Sequence, residues 1–207
     1  MPHIISSFLP FPNLNWWAQV TQAAEVYFDR AEHFEKMTLR NRYQVAGANG
    51  LIQLSIPLVH GRNQRTAMRD VQISHSEKWQ QNHWRTITSV YRRAPYFEHY
   101  EHSLQAIYEQ QYHSLAEFNL ATIEWLKTQA GFNFQVTFAD TFIKDYGKEY
   151  IDLRSPRSEK ILDRDFPPYY QLFADRNGFA PNLSLLDLLF SEGPYAGIWI
   201  KNNLVKQ

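Results

Sequence analysis

The sequence predicts a single α/β domain over residues 1–207, with a central mixed sheet, a β-hairpin and about three to five helices. Three observations carry that expectation. A strand, a helix and a second strand fit within the first 30 residues. A Gly-Ala-Asn-Gly turn then separates two runs rich in β-formers, and three helical stretches follow. A chain of 207 residues is long enough to bury a sizeable core in one domain.

Taken in order, "HIISSFL" is a short apolar strand closed by the turn-forming "PFPN". "NLNWWAQVTQAA" has helical spacing through Leu14, Trp17 and Val20, with Asn13 placed to cap it. "EVYFD" is the second strand. A Rossmann-like sheet is one topology this order allows, and the first strand-to-helix turn, "FLPFPN", would then line a ligand site. In "RYQVAGANGLIQLSIPLVHG" the Asn49-Gly50 pair suits positive φ, and Pro57 ends the second arm or places it at an edge. "GRNQRT" reads as a basic loop and "DVQIS" as a further strand.

The first long helix is expected over 77–93, capped by Ser76 and stopped by Pro95. "YFEHYEHSLQAIYEQQY" and "SLAEFNLATIEWLKTQA" are the next two. Ser114 with Glu117 forms a capping box for the latter, and Gly131 ends it. "NFQVTFAD" is a strand, residues 140–168 read as a charged surface excursion, and "NLSLLDLLFSEG" is a last short helix ending at Gly193-Pro194.

Composition removes several function classes. Basic and acidic residues number 21 each, so no global field directs the chain to nucleic acid or acidic lipid, and anion binding must come from local clusters. With no cysteine there are no disulfides, thiol nucleophiles or thiolate metal sites. No apolar run is long enough to span a membrane and the amino terminus is a poor signal peptide, so a cytoplasmic location is expected. Glycine-rich phosphate loops, a GxSxG elbow and an HExxH zinc motif are missing, and His99 with His102 has no third ligand at useful spacing. No metal is expected, and the cofactor is left open.

Within "WQQNHWRTITSVYRRAPYF", Trp79, His83, Ile87 and Val90 share one helix face, with Arg85, Arg92 and Arg93 directed elsewhere. His83 is either a core imidazole held by a backbone carbonyl or a neutral acid-base group. The three arginines are either a solvated helix end or part of a cationic pocket. Arg40 and Arg42, two apart at the entry to a strand with Asn41 between, form a candidate fork for phosphate or carboxylate, or else pair structurally. Tyr169, Gln171, Arg176 and Asn182 gather polar groups near the last helix, for a ligand or for the backbone of a long loop.

Taken together, "FP" at 11–12, "LRNRYQVAGANGLIQLSIPL", "DVQIS", the "HWR…SVYRRAPYFEHY" block, "EFN" at 117–119 and "PPYYQLFADRNGFAPNLSLLDLLFSEGP" resemble the WbqC-like family. The resemblance runs in order over most of the chain. It implies a role tied to bacterial surface polysaccharide, notably O-antigen formation. Arg40, Asn41, Arg42, His83, Tyr91, Pro95, Tyr169, Gln171, Asn182 and Asp187 fall on its motif positions. Where relatives often carry Gln-Pro ahead of Phe-Pro, this chain has Ser7 and Phe8. The family's members look like cytoplasmic enzymes without an assigned reaction, and the activity expected here is a transferase moving an acyl, aminoacyl or glycosyl group onto an amino sugar or nucleotide-linked sugar. Arg40 and Arg42 would hold phosphate or carboxylate, His83 would take the proton, Tyr91 and Tyr169 would stack, and Gln171 and Asn182 would give directional hydrogen bonds. The competing class is a non-catalytic nucleotide- or glycan-binding protein assisting a partner enzyme. A third expectation assigns the aromatic content, 15% of the chain, to a homodimer interface.

Overall fold

The structure is a computed structural model describing residues 2–59, 65–155 and 166–204. Its centre is a parallel sheet ordered β5-β2-β1-β6, comprising β1 (His3–Ser6), β2 (Glu25–Asp29), β5 (Gln135–Ala139) and β6 (Tyr150–Asp152). β1 has neighbours on both sides, and its Ile4 and Ile5 are fully buried. The chain passes from β1 to β2 and on to β5 in one direction, then returns with β6 to the far side of β1. An open parallel sheet has its natural crevice at such a reversal, outside the carboxyl ends of the strands.

The expected βαβ start is present. α1 (Leu14–Val20) is buried along its whole length, and the Asn13 side chain accepts the Trp16 N–H at 3.0 Å as its cap. The hairpin of β3 (Arg42–Gly47) and β4 (Gly50–Ser55) stands apart as an antiparallel pair, so the β-structure is divided between two sheets. Gly50 takes φ +109 at its turn while Asn49 does not become left-handed, and β4 stops two residues before Pro57.

The helical layer follows the expected order. α2 (Trp79–Tyr91) buries Trp79, His83, Ile87, Val90 and Tyr91 on the predicted face. It starts later than expected: Ser76 does not cap it, since its hydroxyl pairs with Ser74 at 2.9 Å. α3 (Phe97–Glu109) follows. α4 (Leu115–Gln129) carries the Ser114–Glu117 capping box, and Gly131 closes it at φ +66.

Three expectations are corrected. "DVQIS" is not a ladder strand: Ile73 and Gln72 make isolated bridges to Leu58 and Ser114. The 140–168 stretch contains β6, which completes the sheet, although residues 156–165 lie outside the described ones, as does most of the basic run at 61–66. The chain also does not end its helices at Gly193. After α5 (Ala174–Asn177) and α6 (Leu185–Glu192), a 3-10 turn carrying Pro194 leads into α7 (Ala196–Asn202). Proline suits the first turn of a helix, so Pro194 starts a new segment as well as stopping the old one.

α7 is seated by Gly197, whose missing side chain makes room for the Ala130 carbonyl oxygen at the end of α4. A Cβ there would collide with backbone, which cannot step aside as a flexible side chain can. Gly197→Ala is expected to lower stability by about 1–3 kcal/mol, the usual cost of overpacking, read as a lower urea midpoint. No described helix is long and apolar enough to cross a membrane.

Candidate functional site

His83 is 5% exposed, and both its ring nitrogens are engaged. Nε2 lies 3.2 Å from the Ser55 carbonyl oxygen, which can only accept, so Nε2 carries the proton and donates. Nδ1 therefore accepts from the Tyr43 hydroxyl at 3.0 Å, and that oxygen accepts in turn from Tyr108 at 2.7 Å. The Trp79 ring meets the imidazole edge-on. Burial pushes the His83 pKa down to about 4, against a smaller upward pull from the Ser55 bond. This is the core imidazole held by a backbone carbonyl. It has no nitrogen free for a substrate proton, so the acid-base expectation gives way to a structural one.

The proposed arginine fork does not form either. Arg40, 4% exposed, donates to Glu32 at 2.7 and 3.3 Å, to Glu35 at 3.4 Å and to the Arg154 carbonyl at 3.0 Å. Glu32 also accepts from Ser7 at 2.9 Å. Arg154 in turn binds Asp29 and Asp152, each at 2.6 Å. This network ties together the carboxyl ends of β1, β2 and β6 at the sheet's reversal point, and its charged groups are already matched to one another. Sequence reading missed Asp29, Glu32 and Arg154, because ion-pair partners 8 to 125 residues apart leave no local pattern.

Asn41 donates to the Ile56 carbonyl at 3.0 Å. Arg42 faces another way, into a crevice of about 30 Å³ beside Pro10, Phe11, Gln44 and Asn182, the room of about a single water. Its buried Nε has no partner. Asn182, left-handed at φ +57, caps the Asn15 N–H at 2.8 Å. Tyr43 borders this crevice as well as binding His83, but the imidazole does not line it.

Tyr91, Tyr169 and Gln171 do come together. The two phenols donate to opposite oxygens of the buried Asp187 carboxyl at 2.9 and 2.8 Å, and Gln171 holds both polar groups of Ala180 at 2.9 Å. Burial, outweighing these hydrogen bonds, lifts the Asp187 pKa to about 6. The cluster pins a loop. Residues 169–172 alternate, with Tyr169 and Gln171 buried and Tyr170 and Leu172 turned outward.

Those outward residues form one wall of a wide cleft. Its volume is about 920 Å³, within the range of ligand sites. The other wall is the outer face of α2, opposite His83. There Arg85, Thr88, Ser89 and Arg92 follow the i, i+3, i+4, i+7 spacing of a single stripe, joined by Trp84 and Arg93. Ala48 at the hairpin turn, Val90 and Phe173 complete the lining, and Asn177 fixes the loop to the hairpin through the Gly47 carbonyl at 2.9 Å. The guanidiniums of Arg85, Arg92 and Arg93 make no hydrogen bond or ion pair among the described residues. The Thr88 hydroxyl is buried without a partner. Three uncommitted guanidiniums among aromatic rings suit a ligand with phosphate or carboxylate groups and a flat or sugar-like body.

The molecule is thus an α/β protein with a parallel sheet, a separate hairpin and a cationic cleft on its helical side. The model of the WbqC-like protein family matches residues 6–153, and the chain belongs to that family. The match takes in all of α2 and stops before the Tyr170–Phe173 wall and Asp187. Over 195 residues the chain is 25% identical to "Uncharacterized protein Rv1507c" of Mycobacterium tuberculosis (strain ATCC 25618 / H37Rv), covering 81% of this chain and 84% of that protein. No solved structure matches.

Proposed function

We propose that the protein binds a nucleotide-linked sugar in the α2 cleft and serves bacterial surface-polysaccharide assembly. The observation that carries this reading is the set of three uncommitted guanidiniums facing Tyr170 and Phe173 across a cleft large enough for such a ligand. Arg92 and Arg93 would take the diphosphate, the aromatic rings the base, and Ser89 a sugar hydroxyl. The polysaccharide setting is what the family resemblance implies. Among the described residues no carboxylate or imidazole lines the cleft, which favours a protein that holds the intermediate for a partner enzyme. A transferase acting on an amino sugar or nucleotide-linked sugar is the second reading. The adjacent Arg92 and Arg93 favour it, since paired guanidiniums also stabilise charge on a departing diphosphate.

A thermal-shift series with UDP, UDP-glucose, UDP-N-acetylglucosamine, glucose 1-phosphate and glucose tests the proposal. At a hundredfold excess over Kd, the nucleotide sugars should raise Tm by about 5–10 °C and glucose should not. In the Arg92→Gln/Arg93→Gln variant the shift should disappear while the unliganded Tm holds, because both side chains are exposed and unpaired. No shift with any phosphorylated sugar, or the same shift in the variant, would count against it.

A further inference from the structure

We infer that the ligand carries a second anionic group on its sugar, making it a nucleotide-linked acidic sugar such as a uronic acid. This rests on the nucleotide-sugar reading and narrows its substrate class. Arg85 and Arg92 are seven residues apart, so they share a face of α2 and are separated by about 10 Å along its axis. Thr88 and Ser89 occupy the interval on the same stripe. The order along the cleft is therefore the Arg85 guanidinium, the exposed Ser89 hydroxyl, then the Arg92–Arg93 pair.

A diphosphate seated on Arg92 and Arg93 leaves the sugar over Thr88 and Ser89, and the far edge of that sugar then reaches Arg85. The helix does nothing to neutralise this charge. The positions three and four before and after Arg85 hold Asn82, Gln81, Thr88 and Ser89, and those before Arg92 hold Ser89 and Thr88. There is no acid from Trp79 to Arg93, so no intrahelical salt bridge competes for the guanidiniums. A carboxylate at the sugar's outer carbon meets Arg85 in fork geometry, whereas a neutral hexose offers it only a hydroxyl. Arg85 acts here as a specificity residue, separate from the pair that holds the diphosphate.

Calorimetric titrations of UDP-glucose and UDP-glucuronic acid distinguish the two levels of the argument. Wild-type protein should bind UDP-glucuronic acid about tenfold more tightly. Arg85→Gln should bring the two ligands to equal affinity, through a loss of about tenfold or more for UDP-glucuronic acid and a much smaller one for UDP-glucose. Arg92→Gln should weaken both by the same factor. Equal affinities in wild-type protein, or a preference that survives in Arg85→Gln, would overturn the acidic-sugar inference and leave the nucleotide-sugar reading standing. If neither compound binds, both fall.

Discussion

Replacing Arg40 by alanine should destabilise the protein by about 3–5 kcal/mol, the cost of breaking a buried ion pair from one side. Glu32 is 3% exposed, and its strongest contacts are two Arg40 hydrogen bonds and one from Ser7. Burial already pushes its carboxyl upward against the Arg40 guanidinium, and Asp29 adds to that push. Without Arg40 the carboxylate is desolvated with a like charge nearby. The Arg154 carbonyl loses a donor at the same time. The penalty comes from an orphaned charge rather than from the pair itself, so Arg40→Met/Glu32→Gln should recover much of the loss. Urea denaturation of the two variants checks this. A loss below about 1 kcal/mol for Arg40→Ala would return Arg40 to the list of available ligand-binding groups.

His83 and Asp187 should oppose one another in acid. The imidazole titrates near 4 in the folded state against an ordinary value of 6.5. Between those values the unfolded chain binds the extra proton, so stability falls as pH drops, by about 3 kcal/mol over the window. The Asp187 carboxyl titrates near 6 against 3.8, so the folded state holds the extra proton and stability rises as pH drops through the same range, by about 3 kcal/mol. In wild-type protein the two effects largely cancel. His83→Gln can keep the bonds to Ser55 and Tyr43 and should gain stability relative to wild type as pH is lowered from 7 to 4. Asp187→Asn should lose it. Urea midpoints measured across that range give the signs directly. Parallel profiles for His83→Gln and wild type would mean that the imidazole is not sealed as described.

What could be read from the sequence was local. Asn13, the Ser114–Glu117 box, Gly131 and the turn before Gly50 act within a few residues, and the structure has them where the pattern puts them. β6 has only three residues and no alternation, and its place is decided by pairing with β1 some 147 residues earlier. α7 was hidden because Pro194 reads as a stop. The helix spacing correctly put His83 on the buried face, but its role depends on Tyr43 and Ser55, 40 and 28 residues away on the hairpin. The arginine stripe was present in the same spacing. Its meaning appears once the 169–172 loop, pinned by Asp187, is set across from it.

The central claim is that the outer face of α2, and not the carboxyl edge of the sheet, receives the ligand. A crystal structure of the protein with UDP-glucuronic acid tests it most directly. The account predicts the nucleotide between α2 and Tyr170–Phe173, its diphosphate within hydrogen-bonding distance of Arg92 and Arg93. A nucleotide bound instead beside Arg42 and the turn after β1, with the α2 cleft empty, would contradict it.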